Sequence, residues 1–230
     1  MCFWQNKIDV FLNNKNRGKP IFGLRYLNLY FWSMQEIIDN SLLEAISYHD
    51  YRSIINLELK LASTSDSATS DPMMQYKKLN EARMDRIEKT VSIDSESMMR
   101  LQNLKKHYTW LVISEGWCGD AAQIVPVLNK MATISALIDL KIVWRDSNEA
   151  LMDLFLTNGA KSIPKLVLLD QDNKAITSWG PRPEGAAKLI AEHKAAKGVV
   201  DDEAKTALQL WYLHDKGKSV VSEILDLMNV

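Results

Sequence analysis

Between His107 and Trp179 two kinds of hydrophobic pattern alternate, and this alternation restricts the fold more than any other feature of the chain. Tyr108-Thr109-Trp110-Leu111-Val112-Ile113 is rich in β-formers and apolar on both faces, as a buried strand is. Residues 119–132 then place Ile124, Val127, Leu128 and Met131 at i, i+3, i+4 and i+7, the stripe of a helix lying on a sheet. A strand-like run follows from Leu140 to Trp144, then a helical pattern from Asn148 to Thr157 that Asn158-Gly159 ends. After Lys161-Ser162-Ile163-Pro164, the strand Lys165–Leu169 turns through Asp170-Gln171-Asp172-Asn173 into a hairpin partner, Ala175–Trp179. The order predicts an α/β fold with a central mixed sheet of about four or five strands, helices on both faces and extra helices at both ends.

The flanks are helical. From Gln35 to Ala62 the apolar positions Ile38, Leu42, Leu43 and Ile46, then Ile54, Ile55, Leu57, Leu59 and Leu61, predict two short helices broken near His49-Asp50. Residues 63–72 form a polar loop expected to be mobile, and helical spacing returns from Met73 to Lys89 through Tyr76, Leu79, Met84 and Ile87. Three more helical patterns close the chain, over about 184–197, 201–215 and 218–229, the second carrying Leu208, Trp211 and Tyr212. The methionines at 73, 74, 84, 98 and 99 are read as adaptable core. Residues 1–33 differ in texture, with Lys7, Lys15, Arg17, Lys19 and Arg25 against the single acid Asp9. They are read as an extension, with Met34 as the natural start and the aromatic run Tyr26–Trp32 as packing or disorder rather than a membrane contact. The segments are thus an extension 1–33, a helical segment 34–89, a core 90–182 and C-terminal helices 183–230.

Composition mainly excludes. A formal net charge of −1 over 230 residues argues against nucleic acid or an anionic membrane as an obligatory partner. Two cysteines, Cys2 and Cys118, rule out a disulfide framework and fit a reducing cytoplasm. No apolar run reaches the roughly 18 residues of a membrane helix, and polar residues 13–17 interrupt any signal-peptide layout. The histidines at 49, 107, 193 and 214 lack ligand spacing, so no metal is expected, and no phosphate-binding or nucleophile-elbow motif is present. No cofactor is implied.

What remains is Cys118, in Gly116-Trp117-Cys118-Gly119-Asp120, where strand gives way to helix. A thiol is useful as thiolate, and a helix N-terminus offers unpaired N–H groups and a positive dipole end that lower its pKa. The flanking glycines allow a tight turn and leave the sulfur open, with Trp117 roofing one side. Asp120 opposes the dipole, because a neighbouring carboxylate disfavours thiolate, although an acid early in a helix is also favoured for itself.

These residues resemble the thioredoxin family, whose active-site motif is Trp-Cys-Gly-Pro-Cys, over roughly residues 90–182. Pro126, eight residues past Cys118, matches the family's helix-kinking proline; Ile163-Pro164 matches its Ile-Pro, where the proline is cis and packs beside the thiol; Gly180 matches a glycine near the end of the sheet. The resemblance implies a thioredoxin-like fold. The departures bear on function. Ala121 stands at the second cysteine's position, Asp120 replaces the motif's proline, and Val112 stands where the family commonly has a buried aspartate. A two-thiol cycle is therefore lost.

One-thiol chemistry is left. Cys118 attacks a disulfide, a glutathionylated cysteine or a peroxide, and an external thiol completes the cycle. In that reading Trp117, Gly119, Asp120, Ile163 and Pro164 line the substrate cleft, with backbone groups at Ser162 and Ile163 open to an extended strand. The partner is a protein or a low-molecular-weight thiol or disulfide. The alternative is a non-catalytic binding protein using the same cleft, or the helices around Trp211 and Tyr212. A cysteine hydrolase needs a histidine near Cys118, and His107 is expected at the far end of the preceding strand. An exposed sulfur at a helix start beside a cis Pro164 favours chemistry, a buried one the binding protein. Nothing in the sequence fixes the oligomeric state.

Overall fold

A computed structural model of the chain describes residues 34–63 and 72–229. The extension with Cys2 and Tyr26–Trp32, and the polar loop read as mobile, lie outside the described residues apart from the loop's ends. In chain order the elements are α1 (residues 34–44), α2 (Tyr48–Ser63), α3 (Pro72–Thr90), α4 (Ser95–Gln102), β1 (Tyr108–Ser114), α5 (Gly119–Ala132), β2 (Ile138–Trp144), α6 (Glu149–Leu154), β3 (Lys165–Leu169), β4 (Ala175–Trp179), α7 (Glu184–Lys197), α8 (Asp202–Asp215) and α9 (Lys218–Leu227).

The sheet has the order β2-β1-β3-β4, with β1 parallel to β2 and antiparallel to β3, and β3 antiparallel to β4. It is the mixed sheet the pattern predicts. All of β1 and β3 is buried, which explains why β1 reads as a continuous apolar run rather than an alternating one. Edge strand β4 is largely half-exposed. Helix α5 contributes Ala121, Ile124, Val125, Val127, Leu128 and Met131 to the core, far more than the one stripe seen in the sequence, because α3 and α9 pack on the side turned away from the sheet.

Four local expectations change. The break between the first two helices falls at residues 45–47, where Ile46 exchanges two 2.9 Å backbone hydrogen bonds with Ile142 and covers the free edge of β2. Helix α4 was not predicted; its signal was Asp94, whose side chain caps the helix by accepting from the Ser97 N–H at 2.9 Å. Helix α6 stops at Leu154, three residues before Thr157. Of the five methionines read as core, Met84 is buried, while Met73, Met98 and Met99 are exposed on helix surfaces.

Candidate functional site

Cys118 is the N-cap of α5, in extended conformation, at the point where β1 delivers the chain across the edge of the core. Both strands that flank β1 and the loop before β3 converge there. Ile163-Pro164 is a cis peptide, as the resemblance implies, and the Cys118 thiol donates to the Ile163 carbonyl oxygen at 3.3 Å. The sulfur in turn accepts from the Ala121 N–H at 3.4 Å. Gly180 has φ +110°, and a Cβ there would lie 2.4 Å from the Pro164 carbonyl oxygen, so only glycine lets β4 leave the sheet beside that proline.

The sulfur is not open. Cys118 is 8% exposed, and burial is the main cause pushing its thiol up to about 11, with the Asp120 charge second. The backbone N–H groups of Ala121 and Asp120 act in the lowering direction, as a helix start does, and are outweighed. At neutral pH the thiolate fraction is on the order of 10⁻⁴.

Asp120 is enclosed with it. Its Oδ1 accepts from the Tyr212 hydroxyl of α8 at 2.9 Å, and its Oδ2 lies 2.7 Å from the Arg182 guanidinium. The C-terminal helices thus fold back over the head of α5. The sequence offers the helix around Tyr212 as a place to hold a partner, and the structure ties that tyrosine to Asp120; nothing in a lone arginine before a helix says that Arg182 meets the same carboxylate.

On the opposite side lies α3, whose part in the site the sequence does not signal. Asn80 donates to the Gly116 carbonyl oxygen at 3.0 Å and accepts from Arg83 at 2.8 Å. A Cβ at Gly119 would sit 3.3 Å from Arg83 Nη1, so glycine here admits the guanidinium. Arg86 donates to Gln123 Oε1 at 3.0 Å, and Gln123 donates to Gln209 of α8 at 2.7 Å.

The remaining predicted residues fall as follows. Trp117 is half-buried, with the Arg145 guanidinium 4.7 Å from its ring centre. Pro164 stands beside the thiol. The backbone at Ser162 and Ile163 is less available than expected, because the Ser162 N–H bonds the Ala160 carbonyl and the Ile163 carbonyl takes the thiol proton. Val112 is fully buried in β1. No histidine bonds the thiol, and among the described residues no cluster of His, Cys, Asp and Glu has the arrangement of a metal site.

A four-stranded mixed sheet with a cysteine capping the helix after its central strand and a cis proline before the next defines a thioredoxin-like protein. A family model described as thioredoxin matches residues 67–197, more than half of the chain, and the chain belongs to the thioredoxin family. No curated protein matches the sequence. Among solved structures, a protein of unknown function from Pseudomonas aeruginosa superposes with a TM-score of 0.51 at 18% identity, covering 66% of this chain and 84% of the other. An HIV epitope scaffold gives a TM-score of 0.49 at 20% identity, covering 66% and 85%. The first of these likenesses concerns the fold alone.

Proposed function

We propose that this chain is a thioredoxin-fold binding protein, in which the cleft lined by Trp117, Gly119, Asp120, Ile163 and Pro164 holds a partner and Cys118 stays protonated. One observation carries the reading: the Cys118 sulfur is enclosed, its proton is committed to the Ile163 carbonyl, and its pKa is pushed up to about 11. The missing second thiol at Ala121 agrees with it. No described helix is long and apolar enough to cross a membrane, and two cysteines in 230 residues suit a reducing cytoplasm.

A second reading, one-thiol redox chemistry, draws on the N-cap placement of Cys118 and the Ala121 N–H bonded to its sulfur. The Cys118 thiolate attacks one sulfur of a disulfide, forming a mixed disulfide and expelling the other sulfur as thiolate. An external thiol such as glutathione then attacks that mixed disulfide, restoring Cys118 and leaving as the new disulfide.

The pH dependence of iodoacetamide alkylation, with Cys118→Ser as blank, separates the two. The binding reading expects labelling at Cys118 that rises only above about pH 9. Labelling that titrates below the unperturbed value of about 8.5, with turnover of a glutathionylated substrate, establishes the second reading instead.

A further inference from the structure

The two sides of helix α3 are neutralised differently. Glu81, Asp85 and Glu88 all pair with Arg52 of α2. Arg83 and Arg86, on the side turned toward α5 and α8, pair with no carboxylate among the described residues; their bonds go to the amide oxygens of Asn80 and Gln123. The Nε of Arg86 is buried with no hydrogen-bond partner. Burial and the neighbouring Arg86 guanidinium lower the Arg83 pKa from its ordinary value, as happens to a cation lacking a full counter-charge. The carboxylate that acts on Arg83 is Asp120, already held by Arg182 and Tyr212.

Both arginines border a groove of about 330 Å³ between α3 and α8, walled by Leu79, Thr206, Gln209 and Leu210. Its polar end lies against the thiol's own turn, since Arg83 Nη1 and Gln209 Nε2 are 3.3 and 4.0 Å from the Cβ position of Gly119. The groove combines two guanidinium groups without a carboxylate partner and the amide of Gln209 with mainly apolar walls, while the Thr206 hydroxyl is taken up by the Asp202 carbonyl. Guanidinium groups are suited to oxyanions because their N–H pairs match two oxygens at once.

We propose that the groove between α3 and α8 is a carboxylate-binding site, in which Arg83 and Arg86 hold the acidic group of a peptide segment or small organic acid next to Gly119. The groove shares no lining residue with the cleft of the binding reading, so it is a second site beside that cleft and does not rest on that reading. Alkylation of Cys118 tests the reading; titration of the groove tests the site, so each fails separately.

The experiment titrates the full chain at low ionic strength with succinate and with a glutamate-rich octapeptide, followed by calorimetry and by backbone amide shifts. The expected result is saturable binding with shifts centred on Gly119 and Gln123, at least about tenfold weaker in Arg83→Gln/Arg86→Gln and unchanged in the surface control Lys188→Gln. Tighter binding of the peptide assigns the site to a protein segment, and equal binding per carboxylate assigns it to small acids; both uphold it. No saturable binding of either probe, or equal affinity in the folded double variant, overturns it. Should the double variant lose its fold, Arg83→Gln and Arg86→Gln singly carry the same test.

Discussion

The two faces of helix α3 are neutralised unequally. On one, a single guanidinium, Arg52, meets three carboxylates, including Glu88 at 2.8 Å and Asp85 at 2.5 Å. On the other, two guanidinium groups meet none and bond to amides. The first face ties α2 to α3, and its charges are structural, since removing the shared cation strands three anions, one of them half-buried. The second face leaves positive charge beside the thiol turn, held by neutral amides rather than by carboxylates.

The largest effect should therefore come from the compensated face. Arg52→Leu is expected to cost about 3 kcal/mol in urea unfolding, because three carboxylates, half-buried Glu81 among them, lose their shared cation. A loss under about 0.5 kcal/mol, the range of an ordinary surface site, would mean the two faces do not differ in kind.

Lys165 offers a third case, a buried cation whose partners are a hydroxyl and a backbone carbonyl with no carboxylate bonded to it. Its Nζ donates to Thr157 Oγ1 at 2.6 Å and to the Gly180 carbonyl at 3.1 Å, and burial lowers its pKa to about 8. The unfolded chain keeps that proton to about pH 10.5, so between about 8 and 10.5 it binds more protons than the folded one. Stability contributed by this group should rise with pH through that window, by up to about 3 kcal/mol. Cys118 runs the other way: its folded pKa of about 11 lies above the ordinary thiol value, so its contribution is full below that value and lost as pH rises toward 11. Melting curves from pH 7 to 11 should show Lys165→Met removing the rising component and Cys118→Ser the falling one. If neither substitution alters the pH profile, the burial argument for both groups is wrong.

Asp120→Asn comes next. Arg182 and Tyr212 lose a charged acceptor, at an expected cost of about 1 kcal/mol, and the thiol loses the carboxylate that helps raise its pKa. Alkylation at pH 8 should quicken. An unchanged rate would leave burial as the whole cause of the raised thiol pKa.

The smallest effect on stability belongs to the uncompensated face. Arg83→Gln with Arg86→Gln should change the unfolding free energy by no more than about 0.5 kcal/mol, since relief of their mutual repulsion offsets lost bonds to Asn80 and Gln123. A loss of several kcal/mol would assign these arginines to the fold.

Much of the fold was legible because periodicity and turn chemistry are local. The strand Tyr108–Ser114, the stripe on α5, the turn at Asn158-Gly159 with both residues at positive φ, and the β3–β4 hairpin were each readable from adjacent residues, although the helix before that turn ends earlier, at Leu154. The cis peptide at Pro164 and the need for glycine at 180 came through the family resemblance. Helix α4 was overlooked because eight residues give too few turns for a period to show. The exposed Met98 and Met99 misled because methionine reads as apolar wherever it stands.

The order of elements and the placement of one cysteine at a helix start could be read from the chain alone, since each depends on residues a few positions apart. The state of that cysteine is a matter of packing. The turn around Cys118 carries a dipole that lowers a thiol's pKa, but burial outweighs it, and the groups around the thiol come from far along the chain: its proton goes to the Ile163 carbonyl 45 positions away, and Tyr212 reaches the neighbouring Asp120 across 92. Desolvation is a property of everything packed around a group, so no window of sequence contains it.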